Sequence, residues 1–279
     1  MDLGKQNILF FTRTMMLGGT ENVVLQLCEV FKPKVNKIVV CSCGGVNVEK
    51  LTEMGIRHYQ IPDISSKKDI LKICRTVKQI VEKEQITVIH SHHRMAAFYT
   101  EILFGSSIIK IANAHNTFFD KKLLTRFAYR NTKVIAVGKM VKKNLVDYFR
   151  IPEKQVSVIH NAVKPFDGDY IEDKYIRKLH DDGNFVVGNI GRLSEQKGME
   201  YFIESVPKIL KKYPQTRFVI AGNGEDEQKL FSLVKKLGIE EYIKFLGYRK
   251  DVQNLMSQLD LIVLSSLWEG LPLTPIEAY

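Results

Sequence analysis

Short runs of β-branched and aromatic residues alternate along this chain with longer segments of helical periodicity. In the first half, the apolar runs predict strands at Asn7–Phe11, Lys37–Cys41, Val88–His90, Ile108–Ala114, Lys133–Val137 and Val156–Ile159. Between them, apolar residues recur at helical spacing in Glu21–Phe31 and Asp69–Lys83. Alternating strands and helices are typical of a parallel sheet that is covered by helices on both faces. The first half is therefore predicted to be an α/β domain.

The alternating pattern is interrupted once, over residues 164–184, where Pro, Gly and Asp accumulate. Such polar, turn-rich stretches are typical of domain boundaries. A second series of predicted elements follows: strands Phe185–Asn189, Arg217–Ala221, Ile243–Phe245 and Leu261–Leu264, and helices Gly198–Lys212, Glu225–Leu237 and Val252–Gln258. A length of 279 residues also exceeds the roughly 100–200 residues of one ordinary domain. We therefore predict two α/β domains, residues 1–165 and 184–279.

The charge differs between the two halves. Residues 1–165 contain 26 Lys and Arg against 13 Asp and Glu, whereas residues 166–279 contain 15 against 18. Clustered basic residues attract nucleic acid, anionic lipid or polyanionic substrates. Because the basic residues lie in no recognisable nucleic-acid reader motif, binding of nucleic acid is disfavoured.

The cysteines and the N-terminus favour a cytoplasmic protein. The four cysteines form neither a Cys-x-x-Cys pair nor a disulfide framework, so we expect reduced core thiols. The apolar stretch Ile8–Phe11 is too short for a secretion signal or a membrane span. Peripheral attachment to the inner face of the plasma membrane stays open.

Glycines follow the first strand of each half. Gly18 and Gly19 stand between a strand and a helix, where backbone N–H groups can approach an anion. A tight turn that requires positive φ is the structural alternative for these two glycines. In the second half, Arg192 and Lys197 lie between Gly191 and Gly198. They are suited to bind a diphosphate, Arg as a planar fork and Lys as a point charge; a solvated basic loop is the alternative.

Further candidates follow the next strands. The segment Ala221–Glu225, with Gly222, Asn223 and Gly224, repeats the glycine theme at a strand end, where ligands of open α/β sheets bind. Glu269 and Glu277 lie eight positions apart after the last predicted strand, and they could accept hydrogen bonds from sugar hydroxyls. A capping box with Thr274 as the N-cap would also explain Glu277. Because this helix pattern begins so close to the end of the sequence, we expect the second domain to be incomplete.

These motifs, taken together and in order, resemble the retaining glycosyltransferases of family 4 in the GT-B superfamily. They are Gly-Gly-Thr-Glu at 18–21, Gly-Arg-Leu…Lys-Gly at 191–198, Ala-Gly-x-Gly at 221–224, Phe-Leu-Gly-Tyr at 245–248 and Glu-Gly-Leu-Pro…Glu-Ala at 269–278. The resemblance implies two Rossmann-like domains that face a central cleft. It also implies transfer of a sugar, with retention, from a UDP- or GDP-linked donor, with no metal or other cofactor.

The resemblance also implies roles for single residues. Arg192 and Lys197 match the pair that binds the donor diphosphate, and they would stand in for a divalent metal. Glu269 matches the first glutamate of the E-x7-E motif, near the donor sugar, and Glu277 matches the second, usually on the ribose. His115 matches a histidine near the reacting centre; an ordinary hydrogen-bonded polar histidine is the alternative. The remaining donor-binding residues would be Gly18, Gly19, Gly191, Gly222, Asn223, Gly224 and Tyr248.

Two further patterns concern metal and membrane binding. His90, His92 and His93 follow a strand, but without matching carboxylates or cysteines they do not predict a metal site. In residues 118–130, aromatic and leucine residues alternate with four basic side chains, Lys121, Lys122, Arg126 and Arg130. The pattern suits an amphipathic helix on anionic lipid, and a solvated face of a core helix is the alternative. On the first interpretation, the acceptor is a lipid-linked saccharide.

The leading hypothesis is thus a glycosyltransferase of surface polysaccharide biosynthesis that takes a nucleotide sugar and a lipid-linked or other saccharide acceptor. Retention would need no dedicated base, because the departing diphosphate can take the proton. A non-catalytic truncated fragment, or a pseudoenzyme that binds a membrane or a partner, is the alternative. A nicotinamide-dependent oxidoreductase is disfavoured because neither half opens with Gly-x-Gly-x-x-Gly.

Overall fold

The computed structural model describes residues 2–166 and 168–278 and divides into two compact units between Asn161 and Ala162. The strands of the first unit are β1 (Asn7–Phe11), β2 (Lys37–Ser42), β3 (Arg57–Gln60), β4 (Val88–Ser91), β5 (Ile109–Ala114), β6 (Lys133–Ala136) and β7 (Val156–Val158). Its helices are α1 (Gly19–Phe31), α2 (Val48–Glu53), α3 (Ile70–Lys83), α4 (Arg94–Leu103), α5 (Lys122–Ala128) and α6 (Lys139–Lys143). A π-helical turn, Asn144–Tyr148, continues α6.

The described strands of the first unit form a parallel sheet in the order β3-β2-β1-β4-β5-β6-β7. The central strand β1 is buried along its whole length because helices cover both faces. Successive side chains of a strand point to opposite faces. Leu9 and Phe11 accordingly pack in one apolar cluster, with residues of α3 and α4, whereas Ile8 and Phe10 pack in another, with residues of α1 and α2.

The second unit repeats this architecture on a smaller scale. Its strands are β8 (Phe185–Ile190), β9 (Thr216–Ala221), β10 (Ile243–Gly247) and β11 (Leu261–Ile262), and its helices are α7 (Lys174–Asp181), α8 (Met199–Lys212), α9 (Glu227–Leu237), α10 (Val252–Met256) and α11 (Thr274–Glu277). The described strands form a parallel sheet in the order β10-β9-β8-β11. Apolar clusters lie on both faces of this sheet. Both units therefore have the Rossmann-like α/β architecture that the sequence predicts.

Several local features differ from the sequence-based expectation. Strand β3 was not predicted, because its residues Arg-His-Tyr-Gln lack an apolar run and lie half-exposed at a sheet edge. The last strand is shorter than predicted and ends at Ile262. Helix α7 packs against β8, so the second unit includes residues that were assigned to the domain boundary. Helix α11 has Leu273, not Thr274, as its N-cap, and no side chain caps it.

Two amide side chains, one in α10 and one just after it, form hydrogen bonds with the backbone of the segment before α7. The Asn254 side chain accepts a hydrogen bond from the backbone N–H of Ile171 and donates one to its carbonyl oxygen. Gln258 likewise accepts from the N–H of Asp173 and donates to the Ile171 carbonyl. Arg249 pairs with Asp173 at 2.6 Å. These contacts are the reason that the segment belongs to the second unit.

Candidate active site

The candidate donor-binding residues of the second unit lie in loops at the carboxyl edge of its sheet. The loop that contains residues 191–198 follows β8, residues 222–226 follow β9, and residues 263–273 follow β11. The carboxyl edge of a parallel sheet is where open α/β proteins bind their ligands. Backbone hydrogen bonds hold the loops together: the N–H of Leu193 donates to the Asn223 carbonyl at 2.9 Å, and the N–H of Gly222 donates to the carbonyl of Gly247, the last residue of β10, at 2.8 Å.

Two of the glycines in these loops are required by their conformation and by close backbone approach. Gly222 has φ +142°, and a Cβ atom there would lie 1.9 Å from the carbonyl oxygen of Gly191. Gly198 has φ +56°, and a Cβ atom there would lie 2.3 Å from the carbonyl oxygen of Ser265. Any larger residue would force the loops apart. The glycine pattern thus allows the strand-end loops to pack directly on one another.

Lys197 and Glu269 form an ion pair at this edge. The Nζ atom of Lys197 lies 2.6 Å from Oε1 of Glu269, and the side chains are 21% and 19% exposed. Sequence reasoning placed both residues near the donor, but it did not predict that they contact each other. A ligand can still reach the pair, because both side chains keep some exposure.

Residues that the sequence patterns did not identify connect the loop after β8 to the loop after β11. The hydroxyl of Ser265 donates to the Lys197 carbonyl at 2.9 Å and lies 2.9 Å from the amide of Asn189. Gln196 donates from its side chain to the Trp268 carbonyl and accepts, at its backbone carbonyl, from the N–H of Leu267. The polar residues that follow β11 were the sequence signal that could have indicated these contacts.

Arg192 lies on the surface and does not share a partner with Lys197. Its guanidinium pairs with Glu225 at 3.0 Å, and both side chains are mostly exposed. Exposed pairs of this kind contribute little to stability, about 0–1 kcal/mol. An anionic ligand could therefore replace the Glu225 carboxylate as the partner of Arg192 with little loss of stability.

The capping-box explanation for Glu277 is wrong. Thr274 is the first residue of α11 and not its cap, and no side chain caps the helix. Glu277 lies at the other end of this short helix and is half-buried, and burial raises the pKa of its carboxyl above the ordinary value. No hydrogen bond joins Glu277 to Glu269 within the described residues.

The remaining donor-site candidates are exposed or at element ends. Tyr248 follows β10 directly and its ring is exposed. Gly18 is the N-cap of α1, and Gly19 is the first residue of that helix. The alternative of a turn that requires positive φ is wrong for both glycines, since the φ of Gly18 is 172° and neither is among the positive-φ glycines. The N-terminus of α1 keeps its free backbone N–H groups at the carboxyl edge of the first sheet.

A histidine cluster lies at the carboxyl edge of the first sheet. The Nδ1 atom of His92 is 3.1 Å from Nε2 of His115, and the two rings stack with centroids 5.3 Å apart. His90 packs against His92 at a centroid distance of 4.4 Å and contacts Asn113 Oδ1 at 2.8 Å. His93 caps α4 by accepting from the N–H of Met95. The sequence suggested His115 alone; the structure joins it to the histidines after β4.

Burial keeps these histidines neutral. It lowers the pKa of His90, His93 and His115 to about 4 and the pKa of His92 well below its ordinary value. A neutral imidazole donates one hydrogen bond and accepts one. His115 is half-buried, so a ligand can contact it as an uncharged polar group.

The basic segment forms a short helix with an exposed apolar side. Helix α5 begins at Lys122, after Lys121 in a left-handed conformation. Phe119 is 72% exposed and Leu123 is 80% exposed. Lys122 lies over the ring of Tyr148. Basic and apolar side chains are thus presented together.

Metal-binding clusters and membrane-spanning helices are both absent from residues 2–166 and 168–278. No group of three or more His, Cys, Asp or Glu side chains in these ranges is arranged to hold a metal ion. Among the helices described, none combines the length and the apolar character that crossing a bilayer requires.

Two family models match the chain, one for each unit. Residues 17–165 match the model described as Glycosyltransferase Family 4, and residues 171–279 match the model described as Glycosyl transferases group 1. The two matched ranges meet between residues 165 and 171, shortly after the division of the units at Asn161.

Individual proteins with similar sequences or structures extend this result. The chain is 32% identical over 162 residues to the uncharacterized glycosyltransferase MJ1059 of Methanocaldococcus jannaschii, a match that covers 56% of this chain and 39% of that protein. It is 26% identical over 292 residues to the UDP-Gal:alpha-D-GlcNAc-diphosphoundecaprenol alpha-1,3-galactosyltransferase of Escherichia coli, covering 94% and 74%. The crystal structure of Anabaena Alr3699/HepE in complex with UDP shares the fold, with a TM-score of 0.76, 20% identity and coverage of 98% and 78%.

The chain spans less than two thirds of several curated relatives. It spans 39% of the archaeal protein. It also spans 57% of a subunit of the human phosphatidylinositol N-acetylglucosaminyltransferase, to which it is 26% identical over 283 residues.

Proposed function

The chain belongs to glycosyltransferase family 4, whose model covers more than half of it, and we propose that it transfers a sugar from a nucleotide sugar to a saccharide acceptor. The Lys197–Glu269 pair at the carboxyl edge of the second sheet is the observation that carries the proposal. It brings a cation for phosphate and a carboxylate for sugar hydroxyls to one place, among loops whose glycines expose backbone N–H groups.

We propose UDP as the nucleotide of the donor. The E. coli relative is named for a UDP-galactose donor, and the similar Anabaena protein was crystallised with UDP. In this chain Arg192 would bind one phosphate through its guanidinium fork, after release from Glu225, and Lys197 would bind the other as a point charge. Glu277 would accept hydrogen bonds from the ribose.

The proposed reaction retains the anomeric configuration. The bond between the anomeric carbon and the diphosphate oxygen breaks, and the acceptor oxygen forms a bond to the same face of that carbon. The proton of the acceptor hydroxyl passes to the departing diphosphate, so that no side chain needs to act as base. Arg192 and Lys197 would stabilise the negative charge that develops on the diphosphate. This role makes a divalent metal unnecessary.

The proposed acceptor is a saccharide linked to a lipid. The E. coli relative is named for an acceptor on diphosphoundecaprenol. In this chain, the exposed side chains of Phe119 and Leu123 beside Lys121 and Lys122 are suited to rest on an anionic membrane surface. Such contact would bring the enzyme to an acceptor that cannot leave the bilayer.

A donor panel tests the proposal. The chain is incubated with UDP- and GDP-linked hexoses and N-acetylhexosamines, with a lipid-linked saccharide as acceptor. Release of free nucleotide is measured with and without EDTA, and nucleotide binding is measured by thermal unfolding. Turnover of a UDP-sugar that EDTA does not abolish is expected. A chain that binds UDP without turnover would favour a non-catalytic protein, and a chain that neither binds nor releases nucleotide would contradict the proposed function.

A further inference from the structure

The contact between His92 and His115 joins the ends of two neighbouring strands. His92 follows β4 and His115 follows β5, and these strands pair directly in the parallel sheet. The backbone N–H of His92 donates to the Phe11 carbonyl at 2.8 Å, which fixes its position beside β1. The side chain of His92 is almost completely buried, whereas His115 is half-buried. One ring is thus anchored in the core and the other can reach a ligand.

The hydrogen bond between the rings couples their tautomers. A neutral imidazole carries one N–H and one bare nitrogen. If Nδ1 of His92 carries the hydrogen, it donates to Nε2 of His115, and the hydrogen of His115 is then on its Nδ1 atom. In the opposite case, Nε2 of His115 donates to Nδ1 of His92, and the hydrogen of His92 is on its Nε2 atom.

The surroundings of His92 distinguish the two cases. Its Nε2 atom is buried and has no hydrogen-bond partner among the described residues. A hydrogen on that atom would be a buried N–H donor without an acceptor, and such orphaned donors are rarer in folded proteins than acceptors without a donor. The arrangement with the hydrogen on Nδ1 of His92 leaves only a bare acceptor there, so it is the favoured one.

We propose that His92 is a positioning residue that holds His115 in the Nδ1–H tautomer, with that N–H free to donate to an oxygen atom of a bound saccharide substrate. No hydrogen bond within the described chain occupies Nδ1 of His115. An uncharged donor suits a hydroxyl oxygen, and the hydrogen bond between the two stacked rings holds His115 in this orientation. The functional part rests on the proposed function; the tautomer itself does not.

The tautomer is measured directly by NMR of the free protein labelled with 15N-histidine. The signals of His115 among the seven histidines are identified by their loss in His115→Asn. The expected result at pH 7 is a hydrogen bonded to Nδ1 in both His92 and His115. A hydrogen on Nε2 of His115 would overturn the proposal. This result does not depend on turnover, so it stands or fails separately from the proposed function.

Two variants whose side chains both branch at Cγ, His92→Asn and His92→Leu, test the positioning role. In His92→Asn the amide nitrogen occupies the place of Nδ1 and can donate to His115, whereas His92→Leu has a similar shape and cannot. We expect kcat to fall about tenfold in the Leu variant, the loss of one hydrogen bond, and about threefold or less in the Asn variant. The Leu variant should be at least as stable, since its side chain is apolar in a buried place. Equal losses of kcat, or losses that follow the melting temperatures, would mean that His92 only fills space.

Discussion

Nζ of Lys197 lies 2.6 Å from Oε1 of Glu269, although 72 positions separate the two residues. The contact joins the loop after β8 to the loop after β11 in the second unit. Because both side chains are largely shielded from water, the pair is held more firmly than an ion pair on the surface. The same two groups are proposed to contact the donor, so loop stability and donor binding depend on one interaction.

Removal of the Lys197 charge should therefore destabilise the free protein. In Lys197→Met, Glu269 loses its partner in a partly buried place, and we expect the free energy of unfolding to fall by about 1–3 kcal/mol. The matched control is Lys229→Met, which breaks the more exposed pair with Glu200 and should cost less than about 1 kcal/mol. Urea denaturation of both variants measures the difference. Equal losses would contradict a special role for the Lys197–Glu269 contact.

Arg192 should affect ligand binding and leave stability nearly unchanged. Its pair with Glu225 is exposed, so Arg192→Ala should change the free energy of unfolding by less than about 1 kcal/mol. UDP at about a hundred times its dissociation constant should stabilise the native protein by about 2.7 kcal/mol, and the variant should lose most of this gain. The control is Arg177→Ala, which breaks two other exposed pairs in the same unit, with Glu172 and with Asp181. Thermal unfolding with UDP and with GDP measures the effect; a full UDP response in Arg192→Ala would rule out phosphate binding by this side chain.

Gly222 should tolerate no side chain. In Gly222→Ala the new methyl group would overlap the Gly191 carbonyl at a φ of +142°, so the loops after β8 and β9 must separate. We expect a loss of more than about 3 kcal/mol in the free energy of unfolding, together with loss of the UDP response. Gly238→Ala is the control, because Gly238 also has positive φ but no atom stands in the way, and strain alone should cost about 1–2 kcal/mol. Similar losses in the free energy of unfolding for the two variants would show that the loops after β8 and β9 pack loosely.

The histidine cluster should make the protein acid-sensitive. The unfolded chain binds protons near the ordinary histidine pKa of 6.5, whereas burial lowers the pKa of His90, His93 and His115 to about 4 in the native protein. The stabilisation is complete above pH 6.5 and is lost as the pH falls towards 4, by about 1.4 kcal/mol per pH unit for each histidine. Denaturant unfolding between pH 7 and about 4.5 measures the slope, which should be smaller in His90→Leu. An unchanged slope would mean that His90 takes up its proton at the same pH in the native protein as in the unfolded chain.

Membrane contact should depend on α5 and the residues before it. Leu123→Ser and Lys121→Ala should each weaken binding to vesicles that contain phosphatidylglycerol, the lysine variant by about fivefold at low salt. Leu71→Ser is the matched control, because Leu71 is 83% exposed on α3 and Leu123 is 80% exposed on α5. Co-sedimentation with anionic and with zwitterionic vesicles measures binding. If the Leu71 and Leu123 variants lose binding equally, or the native chain does not bind, the segment is an ordinary solvated helix face.

The sequence predicted those strands and helices that show an apolar run or a helical periodicity. Strand β1 is apolar from Ile8 to Phe11 because both faces of the sheet are covered, and α3 repeats buried residues at Ile73, Val77 and Ile80. Strand β3 has no such signal, since edge strands need no apolar run, and its Arg57 and Tyr59 instead hydrogen-bond the buried Glu84. The sequence also did not predict where short helices begin. The spacing of Thr274 and Glu277 fits a capping box, but the helix begins one residue earlier than that motif requires and no side chain caps it.

For the candidate site, the sequence indicated residues but not contacts. Lys197 and Glu269 were each predicted from their place in strand-end loops and from a resemblance to a family, yet their pairing depends on how closely the loops after β8 and β11 approach each other. The same limit applies to His92, which sequence reasoning considered only as a metal ligand. Its neighbour His115 comes from the adjacent strand, and strand order is not encoded in the spacing of residues.

The strand order of the two sheets also determines when each can be completed during synthesis. Strand β1 pairs on one side with β2 but on the other with β4, so its second edge stays open until Ser91 has emerged from the ribosome. In the second unit, β8 likewise waits for β11, which ends at Ile262. At roughly 5–20 residues per second, each central strand is unprotected for seconds. A nascent chain of this protein therefore carries an exposed apolar strand edge twice, and binding of a chaperone would be most useful in these two intervals.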